Sequence, residues 1–415
     1  MRFSAELERE AAHSYVFALL DSDLSISRSE NVLAGHPLPP LAELERAPWV
    51  AILGDDLYPL FLDARAGVAG SLDHGKSTVA ILIAWRNPPD TENRKDGDVT
   101  SVLCSGSLFR ELISRHAGSS PERLCFLLLS AILAGEISAD RVLVKQLPIH
   151  RRDTGTAPTG RARVIMAHRG FSGHLRVALR SIEASTPKPA VSVGLDGGSV
   201  SEYKPLLQDH AGTDFFSFSP APLGPYVIRQ ELIERSGEPV LIFQDSDDYA
   251  TSDRFAILGE ELQNDACDFV GSHELRIDQS GGNVTAVRYP LDVNSALNLG
   301  GPGHSLLYGT SAITRSAFFK AGGLSTDHIF SGDTQFLLRA YFALRIRNAD
   351  AFLYLRRLHE HSLTVHPSTG EFELRETLHR PWRADFISIR KGVLSLDNSS
   401  LHRTRRSEPY QVTRF

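Results

Sequence analysis

Apolar positions follow two different rhythms along this chain. From about residue 162 onward, short apolar runs alternate with amphipathic stretches. Val164-Ile165-Met166-Ala167, Val191 to Leu195, Asp214 to Phe218 and Val240-Leu241-Ile242-Phe243 read as strands. Between them, Leu175, Leu179 and Ile182 recur on one helical face, and residues 226–235 read as a helix. Phe255, Leu258 and Leu262 mark another helix, with Thr251 or Ser252 as its cap. Strands that are apolar throughout have no solvent face, so they predict a parallel sheet covered by helices on both sides. In such sheets, ligands sit beyond the carboxyl ends of the strands.

The first 147 residues have a weaker rhythm. Residues 5–20, 107–117, 121–135 and 138–146 read as helices, and 49–53, 57–62 and 78–85 as strands. This predicts a small α+β or mostly helical accessory domain over 1–147. Pro148 to Arg163 is polar and Gly/Thr-rich, which predicts a linker over 148–162. The α/β domain then spans 163–366, and residues 367–415 form an extension. From Arg380 to Phe415 that extension holds eight Lys or Arg against three Asp or Glu. It reads either as a solvated terminus or as a cationic tail for an anionic acceptor, a phospholipid surface or a partner.

Composition narrows the picture. Of 415 residues, 42% are apolar and 23% charged, which excludes a disordered or collagen-like chain. With 44 Lys and Arg against 50 Asp and Glu, the net charge of −6 argues against a general nucleic-acid binder. Cys104, Cys125 and Cys267 lie far apart, so neither a disulfide framework nor a CxxC site is expected, and a reducing cytoplasm fits best. The longest mostly apolar stretch, Leu124 to Gly135, is short of the ~20 residues a membrane span needs. The first residues lack a signal-peptide apolar core.

The candidate chemistry lies at strand ends. Val240–Phe243 runs into Gln244-Asp245-Ser246-Asp247-Asp248. Three carboxylates within four residues repel one another, and a cation should balance them. An all-oxygen set suits Mg²⁺ or Mn²⁺ bridging to substrate phosphates. The same loop also reads as an acidic cap on the next helix. Asp196 ends the second strand in Leu195-Asp196-Gly197-Gly198-Ser199. Further on come Gly224 with Arg229-Gln230, then Ala321-Gly322-Gly323-Leu324, then Phe330-Ser331-Gly332-Asp333-Thr334, and finally Arg356 to Thr364 with His359 and His361.

In that order, over about 163–366, these segments resemble the family-2 glycosyltransferases of GT-A fold. The resemblance implies a Rossmann-like, mostly parallel sheet flanked by helices. It implies a nucleoside diphosphate sugar donor, a UDP-sugar first, and transfer to an acceptor hydroxyl by a single in-line inversion. The acceptor could be a saccharide, a secondary metabolite or a peptide. By resemblance, Asp196 contacts the base, and Arg229 meets the diphosphate or base edge. Asp247 ligates Mn²⁺ or Mg²⁺, with Asp245 and Asp248 in support on the nucleotide sugar. His359, with His361 as competitor, joins the metal or diphosphate. Asp333 is the general base, placed near a helix start where the dipole favours its anion. Asp333 also reads as a plain helix cap. Gly332 stands where the family usually has Glu.

Two other readings stay in view. A sugar nucleotidyltransferase would share the sheet and the carboxylates, but His168-Arg169-Gly170-Phe171-Ser172-Gly173 is only a faint version of its signature. A noncatalytic nucleotide-sugar-binding module is the third, motivated by Gly332. Separately, Gly70 to Ser77 fits the phosphate-loop pattern GxxxxGK[ST]. No strand precedes it, and the β-branched run after it suits a strand, so a Gly-rich hairpin loop is the better reading.

Overall fold

The computed structural model describes residues 14–20, 24, 26–33, 47–54, 57, 61–64, 68–69, 72, 77–84, 95–99, 101–116, 119–147, 162–198, 200–263, 267–300, 305–360, 362 and 372–415. The chain forms two compact units, Met1–Arg86 with Gly97–Asp153 and Ile277–Ala286, and Asn87–Asp96 with Thr154–Arg276 and Val287–Phe415. The expected linker and most of the phosphate-loop pattern, including Lys76, lie outside the described residues.

The first unit is built on a six-stranded sheet. Its strands are β1 (Ser14–Leu20), β2 (Ile26–Leu33), β3 (Trp49–Gly54), β4 (Thr78–Ala84), β6 (Val102–Ser105) and β7 (Arg141–Leu147), in the order β2-β1-β3-β6-β4-β7. A short β5 (Lys95–Asp98) precedes β6. Helices α1 (Gly106–Arg115) and α2 (Pro121–Ala134) fall where their periodicity placed them. Three expectations fail here. Residues 14–20 are a strand, because antiparallel partners on both sides satisfy their backbone. Residues 141–147 are also a strand, with β-branched Val142 and Val144 buried beside β4. Within 57–62, Phe61 opens a short helical turn.

The second unit is a mixed α/β layer structure. In chain order it contains β8 (Ala162–His168), α3 (Ser172–Glu183), β9 (Ala190–Asp196), α4 (Val200–Asp209), β10 (Thr213–Ser219), α5 (Pro225–Arg235), β11 (Val240–Phe243), β12 (Tyr249–Ala250) and α6 (Arg254–Gln263). There follow β13 (Phe269–Asp278), β14 (Asn283–Arg288, mostly within the first unit's 277–286 segment), α7 (Val293–Gly300), β15 (Ala312–Thr314), α8 (Arg315–Lys320), α9 (Gly332–Ala340), β16 (Ile346–Leu358), α10 (Phe372–Arg390) and β17 (Gln411–Arg414). Strands run β12-β16-β13-β15-β11-β8-β9-β10-β17. The four strands β11-β8-β9-β10 are parallel, as the βαβ rhythm requires. On either side of that core, β15 and β17 pair antiparallel.

Alternation along the parallel strands loads both faces. Val164, Met166, Val193 and Ile242 face Leu175, Leu179, Ile182, Phe255 and Leu258 of α3 and α6. Ile165, Leu241 and Phe243 face Ile228 and Leu232 of α5, with Phe318, Phe336 and Phe386 beyond. Each such side chain contributes about 1.5–3 kcal/mol when fully buried. Helix α6 begins at Arg254, so neither expected cap residue stands directly before it; the Thr251 hydroxyl instead donates to Asp253 at 2.8 Å. Among the described residues, no helix is long and apolar enough to cross a membrane.

Candidate active site

The acidic loop after β11 is balanced largely by the protein's own cations. Arg254 is fully buried behind it and donates to Gln244 Oε1, to the Phe243 carbonyl at 2.7 Å and to the Gly309 carbonyl at 2.8 Å. Its guanidinium also lies over the Tyr354 ring, 4.7 Å from the centroid. Burial brings this guanidinium down to about 10, against the opposing pull of Tyr354, Asp245 and Asp248. Asp245 pairs with the buried Arg229 of α5, and its N–H donates to Tyr354 Oη at 3.0 Å. Asp248 is buried and accepts the Arg357 N–H at 2.8 Å. Burial, then Asp247 and Asp245, push its carboxyl well above the ordinary range.

Asp247 meets His359 Nε2 at 2.8 Å across its Oδ2. Burial would raise this carboxyl, but His359 outweighs burial and holds it low. His174 stands 5.3 Å from the His359 ring, and His168, at the end of β8, bonds Ser246 Oγ at 2.9 Å through Nδ1. Burial brings both His168 and His174 to about 4, so both are neutral at pH 7. The buried Nε2 of His168 has no hydrogen-bond partner.

Asp196 closes β9 and ties it to the next helix. Its Oδ1 accepts the Leu223 N–H at 2.8 Å and its Oδ2 the Gly224 N–H at 3.0 Å. Gly224, at φ 87°, then turns the chain into α5. One turn on, Arg229 reaches Asp245 and lies over the Tyr308 ring, 5.5 Å from the centroid. Its neighbour Gln230 accepts the Leu324 N–H at 2.8 Å. The Arg-Gln pair thus serves two segments, the acidic loop and the Gly322-Gly323-Leu324 turn.

Asp333 sits in the first turn of α9, where Tyr226 Oη donates to its Oδ1 at 2.9 Å. The same tyrosine accounts for the missing Glu. A Cβ at Gly332 would lie 2.9–3.0 Å from the Tyr226 ring, so a larger residue there would displace it. Ser331 just before is buried at φ 61°, with its Oγ unpartnered. Asp327 and Asp292 are engaged elsewhere, Asp327 with Thr404 and Asp292 with the Ser295 N–H at 2.9 Å.

Asp196, Arg229, Asp245 and Asp333 are therefore linked through Tyr226, Tyr308 and the start of α5, while Asp247, Asp248 and His359 share the far side of the acidic loop. His361 lies outside the described residues. Sequence reading missed Arg254, Tyr226, Tyr308 and His174. Their only signals were polar or aromatic residues in otherwise apolar helices and turns. The basic extension is not a frayed terminus, since β17 pairs with β10 and Arg414 pairs with Asp214.

Among the described residues, no three His, Cys, Asp or Glu side chains form a group that could hold a metal by themselves. Asp247 and His359 are the carboxylate and imidazole that would supply two donors to an ion here, and in the structure they are hydrogen-bonded to each other at 2.8 Å. On an ion held by two protein groups, substrate phosphates and water commonly fill the other positions.

No family model matches the sequence, and no curated protein matches it. Solved structures of S. aureus TarS do align with it. The structure of TarS 1–349 in complex with UDP-GlcNAc covers 55% of this chain and 66% of that one, at 14% identity and a TM-score of 0.44. The same TarS segment in complex with UDP covers 57% of this chain and 73% of that one, at 14% identity and a TM-score of 0.41. The structure titled simply TarS covers 55% of this chain and 43% of that one, at 13% identity and a TM-score of 0.41. The chain thus spans just under two thirds of the first of these.

Proposed function

We propose that this protein is a glycosyltransferase that moves a sugar from a nucleoside diphosphate sugar, a UDP-sugar first, to an acceptor hydroxyl with inversion. One observation carries the reading: Tyr226 and Arg229, one turn apart on α5, bind Asp333 and Asp245 respectively. The acceptor-side carboxylate and the strand-end acidic loop are thereby held in one cluster. Asp196 keeps lone pairs beyond the two backbone N–H groups it accepts, and these suit the imide N–H of a uracil. Asp333 accepts the acceptor's proton while Tyr226 fixes its orientation. Asp247 and His359 would hold Mn²⁺ or Mg²⁺, which when bound supplies Lewis-acid stabilisation of the departing diphosphate. Asp245 and Asp248 shape the loop on the nucleotide side.

The test is product analysis with a panel of UDP-sugars and Mn²⁺. Release of UDP, with sugar on an acceptor or on water, supports the transferase. Pyrophosphate chemistry points to the nucleotidyltransferase instead. Ligand-dependent thermal stabilisation with no product points to the binding module.

A further inference from the structure

Residues 400–406 run alongside the segment that leads into Asp333. The Thr326 N–H donates to the Thr404 carbonyl at 3.1 Å, and the Thr404 N–H returns to Ser325 Oγ at 3.2 Å. The Arg406 N–H donates to Thr326 Oγ1 at 2.9 Å, and Arg403 Nε to the Leu324 carbonyl at 3.0 Å. The Thr404 hydroxyl bonds Asp327. From α9 itself, Gln335 Nε2 reaches the Ser400 carbonyl at 3.1 Å and Arg339 the Leu401 carbonyl at 3.1 Å. Ser325 Oγ in turn bonds Gln335, two residues beyond Asp333. A short ladder and two helix side chains therefore clamp both ends of the 324–335 segment, whose centre carries the positive-φ Ser331.

We infer that residues 400–406 are a positioning strap for Asp333, holding its loop so that the carboxylate meets the acceptor hydroxyl. This rests on the transferase reading above. The strap touches neither the acidic loop nor the base-contacting Asp196. It therefore acts on the transfer step and leaves donor affinity alone. General-base catalysis needs the carboxylate within ~3 Å of the proton, and a loop displaced by about 1 Å forfeits on the order of 10²-fold in rate.

The test is the Thr326→Val/Thr404→Val double variant, which removes two hydroxyl bridges at half-buried positions, Thr326 Oγ1 to the Arg406 N–H and Thr404 Oγ1 to Asp327, and spares the backbone-to-backbone bond between Thr326 and Thr404. Its kcat for transfer should fall at least roughly 10-fold. UDP affinity by calorimetry should stay at the wild-type value. Amide exchange over 324–333 should quicken. The Thr326→Ser/Thr404→Ser variant keeps both hydroxyls and should restore kcat. Wild-type kcat in the valine variant overturns the strap. So does a parallel loss of kcat and UDP affinity, which would mark a merely structural role. If the wild-type protein releases no UDP from any UDP-sugar, the transferase reading itself fails and the strap's role with it. Quickened exchange without a rate change would sink the strap alone.

Discussion

At the loop after β11, each carboxylate has a side-chain or backbone partner: Asp245 pairs with the Arg229 guanidinium, Asp247 meets His359 Nε2, and Asp248 accepts the Arg357 N–H. At the start of α9, Asp333 meets a phenol, the uncharged Tyr226. The two segments share a chemistry and differ in its surroundings. A carboxylate fixed by a guanidinium, an imidazole or a backbone N–H is held in one orientation, which suits the organising of a binding loop. In the proposed reading 245–248 bind the donor and Asp333 takes the proton, and that division can be broken from either side.

The largest effect should come from the loop. Asp247→Ala removes one of two candidate metal donors and should abolish Mn²⁺-dependent UDP binding. The fold should persist, because the side chain is part-exposed at a strand end. Calorimetry showing unchanged UDP affinity with Mn²⁺ would remove Asp247 from that role.

On the other side, Asp333→Asn should lower transfer by roughly 10²–10⁴-fold while UDP affinity stays intact. Transfer at close to the wild-type rate would move the base elsewhere.

The charge balance behind the loop gives a stability test. Arg254→Met would strip donors from Gln244 and two carbonyls in a fully buried setting. It should cost about 3–5 kcal/mol in denaturant titration, whereas Arg405→Met on the exposed tail should cost little. Equal costs would mean that Arg254 does not anchor the loop.

The smallest effect concerns a network outside both segments. His273 Nε2 and Arg288 bond Asp350 at 3.2 Å and 2.6 Å. Burial would raise this carboxyl, but His273 and Arg288 outweigh it and hold it well below the ordinary range. A depressed carboxyl contributes stability that is present above its unfolded pKa of ~3.9 and lost as pH falls through the folded value. The melting temperature should therefore drop as pH falls below about 4, and more shallowly in Asp350→Asn. Identical slopes would show that Asp350 is not the titrating group.

Much of the second unit was legible because its determinants are local. The apolar runs at 164–167, 191–195 and 240–243 are strands of the parallel core, and the acidic residues that end two of them lie at its carboxyl edge. The flanking antiparallel strands were not legible, since β15 is three residues long and β17 has no apolar alternation. In the first unit, β1 and β7 carried apolar residues that suit a helix equally well, and their pairing partners decided the matter.

Local pattern alone carried the strand-and-helix alternation of the second unit and the acidic chemistry at the ends of β9 and β11. Which group faces which carboxylate depends on the folded chain. Tyr226 and Asp333 are 107 positions apart, and Thr404 and Ser325 are 79 apart. The need for Gly332 is likewise invisible until the Tyr226 ring is packed against it. Local propensity acts through neighbours within a few residues, whereas a buried charge is satisfied by whatever the fold brings within about 3 Å.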